Sequence, residues 1–254
     1  MESVRQATEN DLNTIKKLWK EAFSDTDSFI KWNFENNYAE ENTFVLEVNN
    51  EIASVVQIIP HTLVDGGEEL SVAYIWGMLT AKKHQKKGYA RKIFEYLFPE
   101  LYKRGYDLSI LTSAVGNMYE KFGYVKVCEA KRYKEPTAYS TASLDNIEEL
   151  IGFLDRAYSI AVSGKKVYMK RDKAYWKRII GDIAEASFGE IAVSDKGYAL
   201  LYPDGDKYVA GEIIGDFGFM EIMDSMPVMV KIINDKKVSP EIFKEKDLYI
   251  KFPL

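Results

Sequence analysis

The run Gln85-Lys86-Lys87-Gly88-Tyr89-Ala90 joins two different kinds of chain. Before it, the apolar, aromatic stretch from Val72 to Thr80 reads as a strand. After it, Ile93, Phe94 and Leu97 begin a helical face. A strand feeding a short cationic loop at a helix N-terminus builds an anion site, because the first helical N–H groups lack acceptors and carry the positive end of the helix dipole. Gly88 removes the Cβ that would obstruct a close phosphate, and Ala90 is too small to intrude. Neither G-x-x-x-x-G-K-[ST] nor G-x-G-x-x-G is present, so nucleotide loops of those two kinds are excluded.

The order that follows narrows the reading. Gly105-Tyr106-Asp107 ends the helix, Leu108 to Thr112 reads as another strand, and Asn117-Met118-Tyr119-Glu120-Lys121-Phe122-Gly123-Tyr124 comes next. The first loop resembles the Q/R-x-x-G-x-G/A signature of the GCN5-related N-acetyltransferases (GNAT), and the second run resembles their Y-x-K-x-G-F/Y segment at the expected distance. The resemblance implies acetyl-coenzyme A as cosubstrate, with its pyrophosphate on Gln85, Lys86, Lys87, Gly88, Tyr89, Ala90 and Arg91. Arg91 could equally be an ordinary residue of a first helical turn. Backbone groups of Met78, Leu79 and Thr80 would pair with pantetheine and polarise the thioester carbonyl.

Tyr119 matches the family tyrosine that protonates the departing sulfur, a role suited to a phenol of pKa about 10. Asn117 lies too close to Tyr119 to carry over the family asparagine's role. Pro99 is a further departure and is expected to kink or end the helix after the loop. The base stays open among three candidates: the terminal carboxylate of Leu254, which tandem relatives use, His61, and a water relay to an acidic side chain. His61, next to Pro60, is expected at the surface.

Upstream, Leu12, Ile15, Leu18, Trp19 and Ala22 share a helical face with Thr8 as a cap, and Ser28 to Tyr38 reads as a second short helix. Phe44 to Val48, Asn49-Asn50 and Ile52 to Ile59 read as a hairpin, and Asp65-Gly66-Gly67 as a turn. The pattern recurs in the second half. A helical face of Ile147, Leu150, Phe153, Leu154, Ala157 and Tyr158 follows Ser143. Tyr175-Trp176 then stands where Trp32 stood, and Phe188 to Pro203, turning at Asp195-Lys196-Gly197, parallels the first hairpin. Tyr208 to Ile214 parallels the strand before the loop. Gly215-Asp216-Phe217-Gly218-Phe219 then replaces the basic loop, placing an anionic Asp216 near the expected helix start. The fold class expected is α/β (α+β), two tandem GNAT-like units with mixed, mostly antiparallel central sheets flanked by helices. Residues 1–136 would form the cofactor-binding unit and 137–254 a degenerate second unit. This organisation resembles the enhanced-intracellular-survival type, whose members acetylate amines such as aminoglycosides. The stretch after Pro227 is too short for the sterol-carrier-like domain common in that type.

Composition sets the remaining bounds. The chain has 254 residues, 46% hydrophobic, with 29% charged and a net charge of −5. That suits a packed core and argues against a nucleic-acid partner. The single cysteine, Cys128, excludes an intramolecular disulfide and lies in an expected strand (Val125 to Cys128) as a packed thiol. Two histidines are too few for a typical metal site, so no metal is expected. No run reaches the roughly 18 apolar residues of a membrane span, and no signal-peptide core is present, so a soluble cytoplasmic protein is expected. A small amine is the expected partner, and a homo-oligomer is compatible with the sequence. The competing class is a non-catalytic ligand-binding or interaction protein of the same fold, which would have no need of Tyr119 as an acid.

Overall fold

The computed structural model describes residues 2–218, 220–244 and 248–250. The chain opens with strand β1 (Glu2–Gln6), helix α1 (Leu12–Phe23) and helix α2 (Asp27–Asn36). Thr8 sits at the head of a 3-10 turn before α1, its N–H donating to Asp11 Oδ2 at 2.8 Å. The hairpin follows as β2 (Thr43–Val48) and β3 (Glu51–Asp65). Asn49 and Asn50 both take positive φ (49° and 66°), the geometry that fits a two-residue turn to the twist of its strands. Next come β4 (Glu68–Thr80), α3 (Tyr89–Lys103), β5 (Leu108–Thr112), the short α4 (Gly116–Glu120) and β6 (Val125–Lys134).

Of the two outcomes expected for Pro99, an end to the helix does not occur; α3 continues to Lys103. Pro99 and Glu95, whose carbonyl loses its usual donor, are both exposed, so water can satisfy that carbonyl. The helix stays anchored by Ile93, Phe94, Leu97 and Leu101, all with no exposed surface. They press on Phe44, Val56, Ile58, Ala73 and Ile75 of one sheet face. Alternate residues Val45, Val55 and Leu79 point to the opposite face and are covered by Ile15 and Trp19 of α1 and Ile30 and Phe34 of α2. Each such fully buried side chain is worth about 1.5–3 kcal/mol.

The second half repeats the layout with β7 (Ser140–Thr141), α5 (Ile147–Val162), β8 (Val167–Met169), α6 (Lys173–Gly181), β9 (Glu190–Ser194), β10 (Gly197–Asp204) and β11 (Lys207–Ile214). Asn146, rather than Ser143, caps α5, its side chain accepting from Glu149 N–H at 3.3 Å. Leu154, Trp176 and Tyr198 close this core. Inside it Arg171 meets Glu212 through two hydrogen bonds, 2.6 and 2.7 Å, while Tyr198 donates to Glu212 Oε1 at 2.6 Å. Among the described residues no helix lies between β11 and β12 (Ile222–Ile232), and Phe217 is buried. Asp216 therefore stands at no helix start, which corrects the sequence expectation while leaving that unit without a phosphate loop.

Strand β12 was not foreseen. It returns to the first half and inserts between β5 and β6, pairing with five residues of β5 and eight positions of β6. Among the described residues all thirteen strands join one sheet, and β13 (Leu248–Tyr249) reaches it through β8, which pairs with β3. The sheet thus does not divide where the sequence suggested, between residues 136 and 137. No described helix is long and apolar enough to cross a membrane.

A fragment of residues 1–136 leaves β5 and β6 without the strand that joins them. It should aggregate or remain largely unfolded on size-exclusion chromatography, with unprotected amides at Ser109 to Leu111 in hydrogen exchange. A monomer with native-like protection there would show that β12 is dispensable.

Candidate functional site

The site begins with a defect in β4. Val55 pairs with Leu79 but Gln57 pairs with Trp76, so Gly77 and Met78 together oppose Val56 as a bulge. Gly77 takes φ +57°, and a Cβ there would lie 2.0 Å from the ring of Trp19. Trp19 is held in place by its indole N–H, which donates to Asp25 Oδ2 at 2.8 Å. On its other edge β4 pairs with β5 only from Val72 to Tyr74, opposite Leu108 to Ile110. Beyond Tyr74 the two parallel strands diverge, so the β4 edge from Ile75 to Thr80 faces a slot. Met78 and Thr80 are half-buried along it, whereas the Leu79 side chain is committed to the α1–α2 face. Gly77 was missed from sequence, although a lone glycine inside a strand pattern is the usual mark of a bulge.

The slot ends at the cationic loop. A 3-10 turn over Lys82–His84 leads to Gln85, whose side-chain amide donates to Thr80 O at 3.3 Å and ties the loop to the strand. Lys86 (φ 62°) and Gly88 (φ 79°) are both left-handed, and nothing lies within 4 Å of a Cβ built on Gly88. The first bond within α3 is Lys92 N–H to Gly88 O, 3.2 Å. The amides of Tyr89, Ala90 and Arg91 precede it and have no acceptor in the helix. This open, amide-lined cradle beside exposed Lys86, Lys87 and Arg91 fits a pyrophosphate. The Tyr89 side chain takes no part in it. Its ring is buried in the core, and its hydroxyl donates to Glu2 Oε1 at 3.1 Å. Arg91 lies over the Phe122 ring at 5.8 Å.

Tyr119, on α4 just past the end of β5, packs edge-on against Phe94 and Tyr124, 6.0 Å from each ring. Burial raises its pKa above the ordinary phenol value, a Ser113 hydrogen bond partly opposing this, so the proton stays on at neutral pH. Asn117 is exposed. Cys128 is a half-buried thiol that burial pushes up to about 11, consistent with a packed, unreactive role.

On the sheet face opposite α3, a cleft of about 760 Å³ opens between the halves and narrows into an inner pocket of about 80 Å³. Trp32, His61 and Arg178 line both compartments, and the inner one reaches Tyr74 and Trp76, the residue next to the bulge. His61 is therefore half-buried in the cleft rather than exposed on the outer surface. It is wedged between the rings of Tyr74 and Tyr175, 5.9 and 6.1 Å away. Burial, helped by the charges of Arg178 and Arg171, lowers its pKa to about 3, so it is neutral and a weak base. Asp182 also lines the inner pocket, on a π-helical turn (Asp182–Ala186) that continues α6. Burial raises its pKa to about 6, against opposing hydrogen bonds and the Arg178 charge. Sequence reasoning named neither Arg178 nor Asp182, because only the packing of α6 beside α2 brings them to the sheet. Leu254 lies outside the described residues. Ile250, a buried residue near it in sequence, has its carbonyl 3.9 Å from Cys128 Sγ.

The comparisons agree with this geometry. Residues 3–127 match the family model of the acetyltransferase (GNAT) domain. Among solved structures, a GCN5-related N-acetyltransferase from Anabaena variabilis superposes with TM-score 0.70 at 14% identity, covering 92% of this chain and 73% of its own. Eis1 from Mycobacterium abscessus superposes with TM-score 0.62 at 12% identity, covering 92% and 74%. An N-acetyltransferase from Kribbella flavida gives 0.66 at 11%, covering 92% and 72%. No curated protein matches the sequence. Residues 3–127 thus carry a GNAT domain, and the chain as a whole shares the fold of these longer proteins.

Gly77→Ala places a methyl inside the Trp19 ring at an unfavourable φ and should cost at least about 2 kcal/mol. Thermal melting should show it, and Trp19→Phe in the same chain should lose less than the sum of the two changes. Strictly additive losses would mean that Trp19 is not what dictates the glycine.

Proposed function

We propose that the chain is an acetyl-coenzyme A-dependent N-acetyltransferase that modifies a primary amine of a small molecule or peptide by direct attack. The observation that carries this reading is the bulge at Gly77 and Met78, set where β4 leaves β5 and between an amide-lined cradle and an aromatic cleft. When bound, acetyl-coenzyme A supplies the acetyl group as a thioester. The amides of Tyr89, Ala90 and Arg91, with Lys86 and Lys87 alongside, would hold the pyrophosphate. The backbone of Met78, Leu79 and Thr80 would pair with the pantetheine arm and orient the carbonyl.

The amine enters from the opposite face, through the cleft that reaches Trp76. A new N–C bond forms as the C–S bond breaks. The amine proton goes to a base, and the sulfur receives the Tyr119 proton. Asp182 is the described side chain best matched to the base, directly or through water, because its pKa of about 6 leaves it ionised yet basic near neutrality. His61, lowered to about 3, is too weak a base. The carboxylate of Leu254 remains the candidate that the family resemblance supplies, and removing residues 251–254 tests it.

Calorimetry should give one acetyl-coenzyme A site per chain. Tyr119→Phe should keep that affinity while turnover falls about 10²-fold. Cofactor binding without thiol release on any amine would return the second reading, a non-catalytic ligand-binding protein.

Asp182→Asn separates the base from the fold. The folded carboxyl holds its proton up to about 6, above the ordinary 3.8, so its contribution to stability is full below the lower value and is lost as pH rises through the higher one. The amide variant should therefore be more stable than the native protein at pH 7–8, by on the order of 2 kcal/mol. The two should converge in acid, and acetyl transfer at neutral pH should drop. Unchanged stability together with full activity would remove Asp182 from the mechanism.

A further inference from the structure

The inner pocket has an unusual electrostatic design. Arg178 lines both compartments, half-buried, with its guanidinium 5.5 Å from the Tyr175 ring. Among the described residues no carboxylate forms an ion pair with it. The acids nearest in sequence, Asp172 and Asp182, act on it through their charge alone, and each accepts a hydrogen bond elsewhere. Asp172 Oδ1 accepts from Tyr175 N–H at 2.7 Å, and Asp182 Oδ1 accepts from Ser187 Oγ at 3.0 Å. The other cations of the cleft are already matched, Lys170 by Glu69 at 2.5 Å and Lys177 by Glu148 at 3.6 Å. The neighbouring Arg171 is saturated by Glu212.

A guanidinium taken out of water without an anion is costly, and its planar fork matches a carboxylate in two parallel hydrogen bonds. Its surroundings favour such a guest. Trp32, Tyr175 and neutral His61 offer apolar and ring-edge surface, and Asp182 lies four residues on, in the π-helical turn that continues α6.

We propose that the acceptor is a zwitterionic amine of the amino-acid class, whose carboxylate is held by Arg178 while its amine reaches toward Trp76 and Asp182. The proposal rests on the acetyltransferase reading above and names the substrate class of that site. The cleft's compartments suit it: the outer volume accepts a side chain, and the narrow inner pocket admits little more than the reactive head. The net charge of −5 spread over the whole surface does not govern this pocket, because distant surface charges are screened while a cation held in no ion pair acts at contact distance.

The test uses the full-length protein with coenzyme A bound, and amino acids and β-alanine each paired with the amine left by decarboxylation. Ligand-induced melting shifts report binding, and released thiol with acetyl-coenzyme A reports transfer. At least one carboxylate-bearing member should bind and exceed its decarboxylated partner in kcat/KM by about 10²-fold. Arg178→Met should collapse that ratio to within a few-fold, and Arg178→Lys, which keeps charge but not the fork, should fall between. Phosphoethanolamine distinguishes phosphate from carboxylate, and a preference for it would overturn the assignment. Decarboxylated amines that bind equally well would overturn it in the native protein, without reliance on any variant. So would silence of both series in the melting assay, or an undiminished ratio in Arg178→Met. Melting shifts without thiol release would leave the carboxylate site standing and sink the acetyltransferase reading.

Discussion

The whole site depends on two parallel strands that are prevented from staying together. β5 is held on its far side by β12 along all five of its residues, and β4 is held on its far side by β3. Each strand can therefore give up the other beyond Tyr74 without losing its only partner. That leaves buried backbone groups facing an opening, a costly arrangement unless a ligand or water takes their place. The bulge at Gly77 turns the strand at the same point, and Trp19 beneath it makes the turn specific to glycine. A slot of this kind is stable when empty and has unsatisfied polar groups ready for a partner, which is the combination that acyl transfer needs.

The second half of the chain is part of that arrangement. Its strand β12 holds β5 away from β4, its strand β11 extends the sheet beyond β6, and its strand β8 clasps the far end of β3 at Leu63 to Asp65. Glycine at position 181 lets Trp32 approach, its missing Cβ lying 3.1 Å from Trp32 Nε1. The α2–α6 contact so formed walls the cleft between the halves. The second half, which has no phosphate loop among its described residues, thus serves as wall and strut of the candidate site beside it.

What could be read from the sequence follows from how local each feature is. The Asn49-Asn50 turn, the strand before the loop and the helix after it are set by neighbours a few residues away, and they lie where periodicity and turn chemistry put them. The repeat of helices and hairpin was also legible, since each copy must bury the same kind of face. The insertion of β12 was not, because a strand carries no mark of which edge it joins when two edges are open. His61 was misjudged for a related reason: its neighbour Pro60 suggests exposure, and part of its cover, Tyr175, comes from a distant helix. Pro99 misled in the other direction, its helix being held by four buried residues on the face away from the proline. Arg178 and Asp182 read as ordinary polar positions on an amphipathic helix until the helix is docked.

The electrostatics of the cleft then follow from a single physical choice, to bury charge near the sheet without neutralising all of it. Arg171 and Glu212 show the neutralised case, a fork-to-carboxylate pair roofed by the Tyr158 ring at 3.9 Å, which adds specificity to the core more than stability. Arg178 shows the other case. Burial lowers its pKa, yet a guanidinium keeps its proton, so the cost stays in the folded protein. Its field also helps to keep His61 neutral and opposes the effect of burial on Asp182. Replacing these residues by apolar ones would make a tighter interface between the halves, as is common where stability and a functional pocket compete. Keeping a cation that no ion pair neutralises, beside titratable acids that offset its burial only through their charge, leaves free energy in the folded protein that a guest of matching charge could release.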